Sequence, residues 1–167
     1  MNADKAPVEL VFQIAVDTAE YLPAERKFSQ WVDRALTMSD RDIPAGACVT
    51  IRIVGAEESA ELNQRYRGQA KPTNVLAFPA GQPVIDMPEG EEAELGDLVV
   101  CLEVASREAT EQQKKLGAHL AHLAVHGTLH LIGYDHQDDV QAEEMESLEK
   151  QVLANLGFDD PYQTVAE

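Results

Sequence analysis

Apolar positions recur along this chain with two different periods. In residues 8–15 they alternate, with Val8, Leu10, Phe12 and Ile14 on one side, which predicts a half-buried strand. From Pro23 the period becomes helical, and Phe28, Trp31, Val32 and Leu36 form one stripe. Residues 49–54 return to strand character, with Val49, Ile51 and Ile53 sharing a face. Residues 56–67 read as a polar helix anchored by Leu62 and stopped at Gly68. Lys71, Pro72 and Thr73 break the chain before a short strand over 74–78, closed by Pro79.

Residues 81–94 mix glycine, proline and acids and read as an exposed loop. The apolar run 98–102 suits a well-covered strand. Helices over 103–115 and 118–132 follow, separated near Gly117. A last amphipathic helix over 140–156 carries Met145, Leu148, Val152 and Leu156 and ends at Gly157. Strands lie mostly early and helices mostly late, with no repeat and no long linker. That order predicts an α+β fold, a small mixed sheet packed by helices, in a single domain spanning residues 1–167.

A chain of 167 residues can bury a core without staples, and 44% hydrophobic with 26% charged residues is ordinary for a globular protein. No apolar run approaches the ~20 residues that cross a bilayer, and the N-terminal stretch has no apolar signal core. A cytoplasmic protein with no membrane partner is expected. Cys48 and Cys101 sit in apolar, strand-like runs and read as buried thiols rather than a disulfide framework or a metal pair. The net charge of -17 argues against nonspecific nucleic-acid binding, because phosphate contacts need Lys and Arg. The charge is unevenly placed, however. From Asp135 onward ten acids face the single Lys150, whereas Arg52, Arg65, Arg67 and Lys71 outnumber Glu57, Glu58 and Glu61 between positions 52 and 71. A nucleic-acid partner then has to be held by a small basic cleft; solvated helix faces are the alternative reading.

The chemistry concentrates in residues 126–136, HGTLHLIGYDH. Helical residues four apart lie on one face a turn apart, so His126 and His130 can chelate one ion. His122 is in register too, but at ~1.5 Å per residue it stands about 12 Å from His130 along the axis. Bonds of ~2.0–2.1 Å cannot bridge that span. A third ligand must come from chain that turns back. Gly133 accepts the left-handed conformation at a helix end, after which Tyr134 and Asp135 carry His136 back toward the ion. Three protein ligands leave a fourth position open, the pattern of a catalytic rather than a structural zinc site. His119 and His122 read as structural or supporting histidines on the same helix. Three imidazoles favour one Zn2+ per chain, and Ni2+ or another divalent transition metal is also accepted by such a set.

The spacing H-x-x-x-H-x-x-G-x-x-H is also that of the metzincin proteases. Those place a glutamate directly after the first histidine as general base. Here Gly127 stands at that position, and Thr128 is a poor substitute. A metallopeptidase built on this site lacks its water-activating carboxylate, which disfavours that reading.

Residues 118–136, AHLAHLAVHGTLHLIGYDH, resemble the signature of the YbeY family of bacterial endoribonucleases, also called rRNA maturation factors. LNQRYRGQAKPTNVLAFP at 62–79 looks like the family's second characteristic segment, and LGDLV at 95–99 looks like its third. Residues 142–162 resemble its acidic C-terminal helix and Asp-Pro-Tyr ending. The likeness runs in order from about residue 56 onward, and the acidic loop 81–94 is its main departure.

The resemblance implies a metal-dependent, single-strand-specific endoribonuclease acting in 3′-end maturation of small-subunit (16S) rRNA and in ribosome quality control. Its partners would be single-stranded RNA and the small ribosomal subunit or a ribosomal protein, with no DNA. The implied fold is zincin-like α+β, with the metal motif on a central helix and the ion in a cleft against the sheet. The family's metal ligands fall on His126, His130 and His136, and its functionally important arginine on Arg67.

The residues themselves add to this. A guanidinium grips non-bridging phosphate oxygens bidentately, and Arg67 stands at a helix end where it can face a cleft. Lys71 is a weaker candidate for substrate phosphate. Asp97, at the start of an apolar strand, is a candidate to orient a ligand histidine or a water; a strand-end carboxylate is the alternative. Asp135 is a candidate acceptor for the spare N–H of a ligand histidine, against a solvated acid after a helix. Glu143, Glu144, Glu146 and Glu149 form either a solvated helix face or a surface for a basic ribosomal protein. Three functions stay in play: the endoribonuclease, the metallopeptidase, and a non-catalytic ribosome-assembly factor whose metal only pins the C-terminal loop.

Overall fold

Alternating side chains in two central strands make a sheet with an apolar surface on each face, and the helices divide between them. The computed structural model describes residues 8–17, 22–44, 46–80 and 94–162. Four strands, β1 (Glu9–Ala15), β2 (Cys48–Val54), β3 (Val75–Pro79) and β4 (Glu94–Cys101), form a mixed sheet in the order β1-β2-β4-β3. The first, second and fourth run parallel, and β3 pairs antiparallel to β4 as an edge strand. The helices are α1 (Glu25–Met38), α2 (Ala56–Arg67), α3 (Leu102–Glu111), α4 (Leu116–Leu131) and α5 (Asp139–Asn155). The expected small mixed sheet packed by helices is therefore present. Among the described residues no helix is long and apolar enough to cross a membrane.

Register decides which side chains share a face. Ile51 pairs with Leu98 and Ile53 with Val100. These four meet Phe28 and Val32 of α1, Leu129 of α4 and Leu153 of α5 in the larger core. The intervening positions, Val54, Val99 and Cys101, join Leu76 and Phe78 of β3 on the other face, under Leu62 of α2 and Val104 of α3. Both cysteines are buried and neither forms a disulfide among the described residues, as expected. Because each fully buried aliphatic side chain contributes ~1.5–3 kcal/mol, the one-residue alternation of β2 and β4 strongly specifies this two-sided packing.

Boundaries shift where pairing overrides propensity. β4 begins at Glu94 rather than at position 98, because Gly96 pairs with Val49 and Asp97 with Thr50 and Phe78. Gly and Asp are poor strand formers by themselves, and the two neighbouring strands supply the reason for them here. Leu102 opens α3 rather than ending the strand, and its side chain is buried with Ala105 in the larger core. The break between α3 and α4 falls before Gly117, which lies inside the first turn of α4. Gln113 takes a left-handed φ of 58°, and the Lys114 N–H donates to the Ala109 carbonyl at 2.8 Å. That bond satisfies an otherwise orphaned carbonyl at the end of α3. α1 starts at Glu25, with Ala24 extended at its N-terminus instead of a helix opening on Pro23. The loop expected over 81–94 lies outside the described residues apart from Glu94.

Candidate metal centre

α4 carries the histidines, and a glycine sets how it lies. A Cβ at Gly127 would sit 2.7 Å from Cδ2 of Leu98 and 3.4 Å from Cγ2 of Val75. The helix therefore rests close on β4 and β3 at this position, and a side chain there would enter the sheet. This explains in space why no carboxylate follows His126. Position 127 faces the core, and a glutamate there would require the packing to open.

His126 and His130 lie on the adjoining face of the helix, at the margin of this contact, and both are half-buried. Their Nε2 atoms approach to 3.1 Å. The third histidine arrives through the turn at the end of α4. Gly133 has φ 101°, its N–H donates to the His130 carbonyl, and the Tyr134 N–H donates to the Leu129 carbonyl at 3.0 Å. An L-residue with a Cβ is disfavoured at that φ, so glycine is what lets the chain reverse. Tyr134 then anchors the turn. Its buried hydroxyl donates to Asp40 Oδ1 at 2.5 Å and accepts from the Asp40 N–H at 3.2 Å. The Arg41 guanidinium lies 4.3 Å from the centre of its ring.

With the turn so held, the His136 ring centre lies 5.1 Å from that of His130 and 6.0 Å from that of His126. One ligand nitrogen from each of the three lies within 4.8 Å of the others. Nitrogens on a tetrahedral ion at ~2.0–2.1 Å stand roughly 3.4 Å apart, so small side-chain movements suffice to close the set. Burial, followed by the neighbouring His126 and His136, lowers the His130 pKa to about 4. Its ring is therefore neutral at pH 7, as a metal ligand must be. His136 is exposed, which leaves this side of the set open to solvent and substrate. Three convergent imidazoles fit a divalent transition metal by donor type and spacing.

Behind the set lies a residue expected on an exposed helix face, either solvated or turned to a basic partner. Glu149 of α5 is fully buried. Its Oε2 accepts a short hydrogen bond from His126 Nδ1, and its Oε1 accepts from His122 Nε2 at 3.1 Å and from the Tyr162 hydroxyl. Burial alone would raise its pKa, but the hydrogen bonds from His122 and His126, with the charge of His126, bring it down to about 2. Glu149 thus takes the place proposed for Asp135. The Asp135 carboxylate accepts instead from the His136 backbone N–H at 2.7 Å, and only its charge acts on the His130 ring. One sequence signal was available: Glu149 occupies the same helical stripe as Met145 and Val152, a charged residue in an apolar row. His119 is a supporting histidine, its Nε2 2.9 Å from Glu108, which also accepts from Asn74 at the start of β3.

Asp97 is not brought to the histidines. It lies on the face of β4 shared with Val99 and Cys101, away from α4. Burial, with the charge of Glu94, raises its pKa to about 6, partly countered by a hydrogen bond involving Thr50. Among the described residues its Oδ1 has no hydrogen-bond partner. It reads as a buried strand carboxylate rather than an orienting group for a ligand. Arg67 and Lys71 are both exposed, at the end of α2 and in the loop beyond it. Asn63 Nδ2 holds the Lys71 carbonyl at 2.8 Å. Tyr66 packs edge-on against Phe78 with ring centres 5.3 Å apart. Leu131, next to His130, abuts Gly96, which pairs with Pro79. Tyr66, the neighbour of Arg67, and Leu131, the neighbour of His130, therefore reach the same end of edge strand β3, from opposite faces of the sheet.

The family model described as Endoribonuclease YbeY matches residues 13–157. That span covers all three histidines, Arg67 and Glu149. The chain belongs to the YbeY endoribonuclease family. The solution structure of TM1509 from Thermotoga maritima, described as VT1, is similar in fold. It shares 24% sequence identity, with a TM-score of 0.52 over 92% of this chain and 99% of that one. The family match settles the resemblance seen in residues 62–79, 95–99 and 118–136, and the structural likeness agrees with the mixed sheet and its helices.

Proposed function

We propose that this protein is a metal-dependent, single-strand-specific endoribonuclease acting in 3′-end maturation of small-subunit rRNA and in ribosome quality control. The observation that carries this is the convergence of three imidazoles on one point, beside an edge strand whose other face packs against the end of the helix that carries Arg67. Family membership supports the class of reaction and substrate.

His126, His130 and His136 would hold one Zn2+ per chain, with Ni2+ an acceptable substitute. Such an ion supplies Lewis-acid polarisation of a phosphodiester oxygen and acidifies water at neutral pH. The chain's own residues do the rest. His130 stays neutral, so binding the ion there does not require loss of a positive charge. Arg67 grips the non-bridging oxygens and stabilises the charge that grows on them as the bond breaks. Lys71 holds a neighbouring phosphate. Single-stranded RNA suits an open site of this kind because an unpaired strand is flexible and exposes its base edges, and its 2′-hydroxyls distinguish it from DNA. The acidic chain, at -17, disfavours nonspecific duplex binding. Glu143 and Glu144, exposed on α5, suit a basic ribosomal protein as partner.

The deciding experiment is cleavage of a short single-stranded RNA by purified protein, with and without chelation, alongside the variant His126→Ala. Cleavage should stop on chelation, return with zinc, and be absent in the variant. A folded variant that cleaves like the wild type ends the proposal. The assembly-factor reading predicts instead that chelation lowers stability with no turnover to lose. The metallopeptidase reading has only the shared histidine spacing in its favour, and the inward-facing position 127 counts against it.

A further inference from the structure

We infer that Glu149 and Tyr162 are positioning residues for the metal centre, acting through Nδ1 of His126 to determine which nitrogen of that ring is presented to the ion. This rests on His126 being a ligand, as proposed above.

The argument begins with what a buried carboxylate can do. An ionised carboxylate only accepts hydrogen bonds, so the nitrogen that contacts it must carry the proton. In His126 that nitrogen is Nδ1, bonded directly to Glu149 Oε2. The lone pair is then left on Nε2, which lies 3.1 Å from Nε2 of His130, where the three rings converge. The other tautomer would place a hydrogen at the ligand position. Ligating histidines commonly pass their second N–H to an acceptor in this way, and the acceptor orients the ring as well as selecting the tautomer.

Glu149 is itself prevented from turning away. Its second oxygen is held by His122 Nε2 at 3.1 Å and by the Tyr162 hydroxyl, so both oxygens are engaged with no solvent exposure. Tyr162 comes from the segment beyond α5, and that segment is tied down separately. The Tyr162 N–H donates to Asp160 Oδ1 at 2.8 Å, Lys114 Nζ donates to the Pro161 carbonyl at 3.1 Å, and Lys150 pairs with Asp160 at 3.9 Å. The chain beyond the last helix thus latches a carboxylate that orients a ligand two elements earlier. His122, His126 and Glu149 also place donor atoms within 4.8 Å of one another, which invites a second cation. The direct hydrogen bond between His126 and Glu149 argues against it, because an ion needs ~2.0–2.1 Å to each donor and a gap between them.

The test compares full-length wild type with Glu149→Gln and Tyr162→Phe, each freed of metal and titrated with Zn2+ against a competing chelator. Glu149→Gln should weaken zinc binding by about 10–100-fold, and Tyr162→Phe by severalfold. Nitrogen-15 NMR of the metal-free wild type should show His126 as the Nδ1–H tautomer, with both tautomers populated in Glu149→Gln. A merely structural role would lower stability in both variants and leave tautomer and affinity unmoved. Unchanged zinc affinity in both variants, an Nε2–H tautomer in the wild type, or two zinc equivalents with one lost in Glu149→Gln would each overturn the inference. Should Glu149→Gln fail to fold, Tyr162→Phe decides, since Tyr162 is exposed at the surface. A wild type that binds zinc with these properties but cleaves no RNA sinks the nuclease proposal and leaves this one standing.

Discussion

On the α4 side of β3, three histidines are held by Glu149, Tyr134 and the turn at Gly133, and Glu149 and Tyr134 are themselves buried. On the α2 side, Arg67 and Lys71 stand in solvent at the end of a helix and in the loop beyond it. Both sides meet the same end of the edge strand. One is organised before any ligand arrives, and the other is left free. The difference follows from the work each side would do. A metal set loses affinity when its rings can wander, so buried acceptors are worth their desolvation. A phosphate grip on a flexible single strand gains little from rigidity and much from a long, mobile cation.

Substitutions on the two sides should therefore behave differently. The largest effect is expected from His130→Ala, which removes a ligand outright. Cleavage of single-stranded RNA should fall by more than about 100-fold, the upper end for groups one step behind a metal, and zinc stoichiometry should drop with it. Arg67→Glu should lower kcat/KM by about 100-fold, in the range of losing one charge-stabilising donor. Because Arg67 is exposed, its unfolding free energy should stay within about 0.5 kcal/mol of wild type. A large loss of stability in Arg67→Glu would erase the contrast, since it would make Arg67 part of the scaffold.

Acid should affect the metal side first. The His130 pKa is lowered from 6.5 to about 4 and that of Glu149 from 4.5 to about 2. For a group whose folded pKa is lowered, the stabilisation is present above its unfolded value and lost as pH falls toward the folded one. Metal-free protein should thus lose stability from pH 6.5 downward through His130, then further below 4.5 through Glu149. Denaturant unfolding at stepped pH reads this directly, and in Glu149→Gln the lower step should vanish. The smallest effect is expected from Lys71→Ala, a several-fold rise in KM for RNA and a shallower dependence of binding on salt, with kcat unchanged. An unchanged salt dependence would remove Lys71 from the substrate path.

Much of this was legible before any coordinates. The alternation at 49, 51 and 53 and the stripe through Phe28, Trp31, Val32 and Leu36 predict the larger core, because apolar burial follows local period. The helical spacing of His126 and His130, with Gly133 to reverse the chain, predicts the approach of His136. What stayed hidden depended on partners. Asp97 sits on the far side of its strand only because the register with β2 and β3 puts it there. Glu149 looks like one more acid on an acidic helix until α5 packs against α4 and buries it beside His122 and His126.

Local sequence thus determined the elements, the ligand spacing and the turn, since each depends on backbone preference and neighbours within a few residues. Tertiary structure alone decided which acid answers His126 and which face each charge occupies. Those outcomes depend on burial and hydrogen bonding between segments far apart in the chain, and no local pattern encodes the cost of removing a particular carboxylate from water.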